Sequence, residues 1–228
     1  MARKDTAPEP PKGPQQRSTP QPADGSRQRR ILYLIGATSI AALAVVFGAL
    51  ALGGDDDDEL TALESAGCTL ESFPALPNAP DHSDVPSLTT KPEWNSNPPT
   101  SGPHYREWAI WNFYEEEVPL VKSVHNLEHG GVVIHYGPRV SQAEVEMLRT
   151  FYNEDPNGLL VAPLRSNGDT ITLSAWTAPD AATGTTDRGR GWLARCTSVD
   201  EEAFSEFIEE RRFKGPERFL PEQLAPGT

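Results

Sequence analysis

Between Ile31 and Leu52 the chain runs for 22 residues without one charged side chain, ILYLIGATSIAALAVVFGALAL. As an α-helix such a run measures about 33 Å, enough to cross the hydrocarbon core of a bilayer. It therefore predicts one transmembrane helix and assigns the rest of the chain to two compartments. Arg27, Arg29 and Arg30 stand immediately before the run, and Asp55 to Glu59 (DDDDE) follow it. Basic flanks stay on the cytoplasmic side. The predicted location is thus the cell membrane, single-pass, with the N-terminus cytoplasmic and everything after Leu52 extracytoplasmic. A cleaved signal peptide is the rival reading, because Ala49-Leu50-Ala51 has the small-x-small form of a cleavage site. Against it, the run exceeds the usual apolar stretch of about 7–15 residues in a signal peptide.

The two sides differ in composition. Residues 1–30 hold seven basic and three acidic side chains and six prolines among polar neighbours. Such a segment buries too little apolar surface to fold and reads as a disordered cytoplasmic tail. Residues 53–59 read as an acidic linker, and residues 60–228 as the folded extracytoplasmic domain. With 33 acidic against 20 basic residues the chain carries −13, and its basic excess is confined to the tail. A nucleic-acid partner is excluded on that ground, since phosphate neutralisation needs a basic face.

Cys68 and Cys196 are the only cysteines. In an exported domain an even, small count predicts one disulfide, here tying the beginning of the domain to its end. Two unlinked buried thiols are the alternative.

A short helix is expected within Glu59 to Ala66, and an irregular stretch from Phe73 to Pro103, which contains eight prolines. Regular structure concentrates later. Gly131 to Tyr136 (GVVIHY) reads as a buried strand. Ser141-Gln-Ala-Glu144 has the capping-box form, with Val145, Leu148 and Tyr152 at helical spacing until Asp155-Pro156. Gly158 to Pro163 and Thr170 to Thr177 read as two strands, and Asn167-Gly168 between them is a hairpin signal. After a small, polar loop from Ala178 to Gly191, Trp192 to Cys196 reads as a further strand. Ser198-Val-Asp-Glu201 repeats the capping-box form before a helix carrying Phe204, Phe207 and Ile208. Together these predict an α+β fold: a small mixed or antiparallel sheet with two or three packed helices, a Pro-rich irregular N-terminal part, and one preceding transmembrane helix.

All five histidines, His82, His104, His125, His129 and His135, fall within 54 positions. His104 ends the proline-stiffened run Asn97-Pro-Pro-Thr-Ser-Gly-Pro-His104-Tyr105, where it has little conformational freedom. His125 and His129 are four residues apart in Val124-His-Asn-Leu-Glu-His129. On a helix both would share a face, whereas on a strand they would lie about 13 Å apart. Pro119 suits the first turn of such a helix and Gly130-Gly131 its end, whereas Val121 and Val124 weaken its propensity, and a local turn is an equal alternative. Six aromatic residues from Trp94 to Tyr114 cluster beside them; they read as packing that screens the histidines, with an exposed glycan or peptide platform as the alternative.

PPTSGPHY and VHNLEHGGVVIHY resemble the signature blocks of the DUF3105 family, membrane-anchored bacterial proteins with an extracytoplasmic domain and no established activity. The resemblance covers about residues 60–215. It implies an upstream histidine matched by His82, the PPTSGPH histidine matched by His104, and the HxLEHG pair matched by His125 and His129. Ala175-Trp176-Thr177 departs from the family's Ala-Trp-Gly step, and His135 matches no fixed histidine.

Three functions fit these residues. The first is a membrane-anchored extracytoplasmic domain binding a divalent transition metal, Zn or Cu(II), through His82, His104, His125 and His129, with Glu128 orienting a ligand from behind. Soft Cu(I) is disfavoured, since Met147 is the only methionine besides Met1. The second is a non-catalytic structural or protein-interaction domain of the cell envelope. The third is a zinc-dependent hydrolase, because His125-x-x-Glu128-His129 fits HxxEH with Glu128 as the catalytic base.

Overall fold

A computed structural model describes residues 62–179 and 188–228. The expected tail, membrane span and acidic linker lie outside these residues. Among the described residues no helix is long and apolar enough to cross a membrane.

The domain opens with a helical turn over 62–65, followed by strand β1, Thr69–Pro74. A long irregular stretch leads to helix α1, Leu120–Glu128, and then β2, Val132–Tyr136. Helix α2 spans Gln142–Glu154 and β3 spans Leu159–Pro163. Strands β4, Ile171–Thr177, and β5, Arg190–Cys196, precede helix α3, Glu201–Arg211. The five strands form one mixed sheet in the order β1-β5-β4-β2-β3. Only β2 and β3 run parallel, as expected for two strands joined through a helix.

This order corrects the expected hairpin. β2 lies between β3 and β4, pairing with both, so the two strands flanking Asn167-Gly168 are not neighbours. The turn signal is local and real: Arg165–Asn167 is a 3-10 turn and Gly168 has φ +65°. Yet the turn lifts the chain over the end of β2 instead of reversing it alongside. Asn167 secures that crossing by donating its side-chain amide to His135 O at 3.1 Å and Thr172 Oγ1 at 2.9 Å.

Strand alternation divides the core in two. Val132, Ile134, Leu159, Val161, Ile171, Leu173, Ala194 and Cys196 face one side, where Leu148 and Tyr152 of α2 and Phe204 and Phe207 of α3 cover them. Each of those phenylalanines is fully buried and contributes about 1.5–3 kcal/mol. Val133, Leu160, Ala162 and Trp176 face the other side, under Val124 and Leu127 of α1 and the aromatic Trp111. Among the described residues the domain is therefore α+β, with α1 on one face of the sheet and α2 and α3 on the other, and the candidate site lies on the α1 side.

Ser141 caps α2 as expected, accepting from Glu144 N at 3.2 Å. The carboxylate of Glu144 does not fold back on the cap; it accepts from Val199 N at 2.6 Å and so joins α2 to the approach of α3. The second expected cap shifts by two residues, because Asp200, not Ser198, accepts from Ala203 N. β5 also starts two residues earlier than Trp192.

Cys68 and Cys196 form a disulfide. β1 pairs antiparallel with β5 from Thr69↔Arg195 onward, so the next residues outward, Cys68 and Cys196, stand opposite each other. The cross-link closes a sequence separation of 128 and pins an edge strand to the sheet.

Candidate metal centre

Helix α1 begins after Pro119, with no side-chain cap, and is buried on nearly every face. Val121 and Val124 lower its intrinsic propensity, so tertiary contacts must hold it. Asn126 supplies one such contact by bonding both backbone groups of Ala109, its Oδ1 accepting at 2.9 Å and its Nδ2 donating at 2.8 Å. The helix ends at Gly130, whose φ of +89° favours glycine.

The PPTSGPHY run lies along this helix. Tyr105 N donates to Val121 O at 3.0 Å. Ser101 Oγ accepts from Leu76 N, and Gly102 has φ +103° with Leu76 packed where a Cβ would project. The two sequence blocks are thus the two walls of one site.

His82, His104, His125 and Glu128 each offer a ligand atom here, all within 4.8 Å of one another. His104 is fully buried and Glu128 and His125 nearly so, while His82 has its side chain 19% exposed. His82 also adopts φ +57°, a left-handed conformation costing an L residue about 1–2 kcal/mol. Its ring stacks on His125 at 5.0 Å and meets His104 edge-on at 4.8 Å.

Two backbone carbonyls decide which ring nitrogens face inward. His104 Nδ1 lies 2.8 Å from Gly102 O, and His125 Nδ1 lies 2.8 Å from Tyr105 O. A carbonyl only accepts, so Nδ1 carries the proton in each ring, and Nε2 of the neutral imidazole is a lone pair. His104 Nε2 is 2.9 Å from Glu128 Oε2. The buried Nε2 atoms of His82 and His104 and Oε2 of Glu128 have no hydrogen-bond partner. Glu128 is held by its other oxygen, which accepts from Asn78 Nδ2 at 2.9 Å. Acceptors thus converge on one point, and only a cation, a proton or a metal ion, relieves that arrangement.

The ring pKa values follow the same field. Burial opposes the charged form of His104, but the adjacent Glu128 carboxylate outweighs it and raises the pKa above 6.5. His125 is lowered to about 4, chiefly by burial, with the Tyr105 carbonyl opposing and His129 and His104 adding to the fall.

His129 lies beside this group. Its Nε2 is 3.0 Å from His125 Nε2 and 3.6 Å from Glu217 Oε2. The sequence reading placed His129 among the ligands and Glu128 behind them; the structure brings Glu128 into the group and sets His129 against its edge. His135 is not part of the group. It is fully buried on β2, where burial lowers its pKa to about 4 and neither ring nitrogen has a hydrogen-bond partner. Of the aromatic residues, Trp111 is buried packing, whereas Trp108 is 41% exposed and sets its ring edge-on against His125 and His129.

Sequence reasoning missed Asn78, Asn126 and Glu217. Asn78 and Glu128 are 50 positions apart, and no local pattern links them. The C-terminal segment carrying Glu217 is equally remote, yet Glu217 N donates to Glu128 O at 3.0 Å.

Fold and site together define a small α+β domain with a buried imidazole–carboxylate group. A family model described as a protein of unknown function (DUF3105) matches residues 87–223, more than half of the chain, and the chain belongs to that family. His104, His125, Glu128 and His129 fall inside the matched region; His82, Asn78 and Cys68 precede it. No curated protein and no solved structure matches the chain.

Proposed function

We propose that this protein is a membrane-anchored, extracytoplasmic binder of one divalent transition metal ion, Zn²⁺ or Cu²⁺, held by the ring nitrogens of His82, His104 and His125 and by Glu128. The observation that carries the reading is the convergence of four ligand atoms within 4.8 Å. Two imidazoles in that group have Nδ1 committed to backbone carbonyls, the usual arrangement behind a metal-bound histidine. Three nitrogens and one carboxylate oxygen suit Zn²⁺ or Cu²⁺. Glu128 among the ligands favours a closed, holding site over hydrolysis, which needs an open metal position and a base off the metal.

The test is calorimetry on the metal-stripped full-length chain. Wild type should take up one equivalent of Zn²⁺ or Cu²⁺, and His104→Ala should lose it. Equal, weak binding by both would leave a protonated His104 paired with Glu128 as a structural element. The anchoring is supported by the uncharged run 31–52 and its flanking charges. Protease added to intact spheroplasts should remove the domain, and its protection would refute that topology.

A further inference from the structure

We infer that Glu217 and His129 form an outer metal-loading station that hands the ion to the buried group through His125, an inference that rests on the metal-binding reading above. Three atoms make the station: Glu217 Oε2, 3.6 Å from His129 Nε2, and His125 Nε2, 3.0 Å from the same atom. Two ligands on one tetrahedral ion with bonds of about 2.0–2.1 Å stand about 3.3 Å apart, so both spacings suit a shared ion. Only the outer end of this line is exposed. The side chain of Glu217 is 56% exposed, that of His129 3% and that of His104 fully buried.

The ring of His129 has little freedom to leave this line. Phe219 lies on it with centroids 4.1 Å apart, and Trp108 meets it edge-on at 4.9 Å. Glu217 is equally placed by its backbone, since its N–H donates to Glu128 O. A partly exposed carboxylate is therefore fixed to the end of the helix that carries the buried ligands.

Without metal, His125 Nε2 is an acceptor, so His129 Nε2 supplies the proton between them. On loading, that proton exchanges through water to Nδ1 of His129, and Nε2 becomes a ligand with no net change in ring charge. His125 Nε2 belongs to both groups. The ion can gain His104 and Glu128 before it loses His129 and Glu217, and so never passes through a ligand-free state.

Stopped-flow binding of Cu²⁺ to the full-length chain, read by tryptophan fluorescence, tests this. Glu217→Gln should slow association and dissociation together, by about tenfold or more, with Kd unchanged. Glu217→Asp should restore most of the rate. Melting temperature checks the fold of each variant, which keeps the Glu217 backbone bond. An unchanged association rate in Glu217→Gln would overturn the station and place access on the partly exposed His82 side. A weaker Kd produced by faster dissociation alone would make Glu217 a holding ligand and also overturn it. Absence of Cu²⁺ binding by wild type would remove the buried site itself, an outcome distinct from either.

Discussion

His104 Nε2 and Glu128 Oε2 face each other 2.9 Å apart while His104 spends its Nδ1 proton on Gly102 O. A proton or a metal ion satisfies the pair, and the two compete. The raised pKa of His104 stabilises the metal-free fold fully below 6.5, and that contribution is lost as pH rises through the higher folded value. Metal binding should therefore release protons near neutral pH, and affinity should rise with pH across that same window. Calorimetry in buffers of different ionisation enthalpy measures the release. With metal at 100 times Kd the domain gains about 2.7 kcal/mol, or about 5–10 °C in Tm. Affinity independent of pH between 6 and 8 would count against the His104 ligand.

Asn78 holds the second oxygen of Glu128 through its Nδ2. Asn78→Ala leaves every proposed ligand in place but frees the carboxylate to rotate. Metal affinity should fall about 10–100-fold, with one equivalent still bound at saturation. Wild-type affinity in this variant would mean that the carboxylate is oriented by other contacts.

His135 is fully buried with both ring nitrogens unpartnered, and its pKa is lowered to about 4. The unfolded chain binds this proton near pH 6.5 and the folded chain does not, so stability falls as pH falls from 6.5 to about 4. The loss at the lower end is about 3 kcal/mol. His135→Leu should remove that part of the acid limb while changing stability at pH 7 by less than about 1.5 kcal/mol. Urea titrations of both proteins from pH 7 to 4 provide the comparison; parallel curves would contradict it.

The Cys68–Cys196 bond closes a long loop between an edge strand and the end of β5. Cys68→Ser with Cys196→Ser should cost about 4–5 kcal/mol on the chain-entropy account. β1 should lose amide-exchange protection first, since β5 is its sole partner in the sheet. Guanidinium unfolding and hydrogen exchange check these two outcomes, and a loss below 1 kcal/mol would show that the reduced chain is already compact there.

Features carried by local chemistry could be read directly. The apolar run before Tyr136, the Ser141 cap and the phenylalanines of α3 each announce their element, because a strand pattern, a cap or a helical stripe is complete within a few residues. The cysteine pair and the histidine crowding were legible for a related reason, the rarity of those residues in this chain. The hairpin expectation failed because Asn167-Gly168 specifies a turn and says nothing about which strand fills the space beside it. β2, apolar on both faces, takes the place between β3 and β4 and displaces the pairing that the turn suggested.

The composition of the site was legible in the same partial way. His104, His125 and Glu128 stand out in two short blocks, and the four-residue spacing of His125 and His129 already requires a helix or a turn if both are to act together. Which of Glu128 and His129 turns toward His104 depends on the rotation of α1 about its axis. That rotation is set by Tyr105 against Val121 and by Asn126 against Ala109, contacts 16 and 17 positions apart. The positions of Asn78 and Glu217 depend on where a proline-rich loop and the C-terminal segment come to rest. The sequence alone thus determined the residue types and the need for a helix or turn to carry them, since such rules act within a turn or two. Only the tertiary structure decided which side chains share a centre, because long-range packing, not local propensity, brings distant segments together.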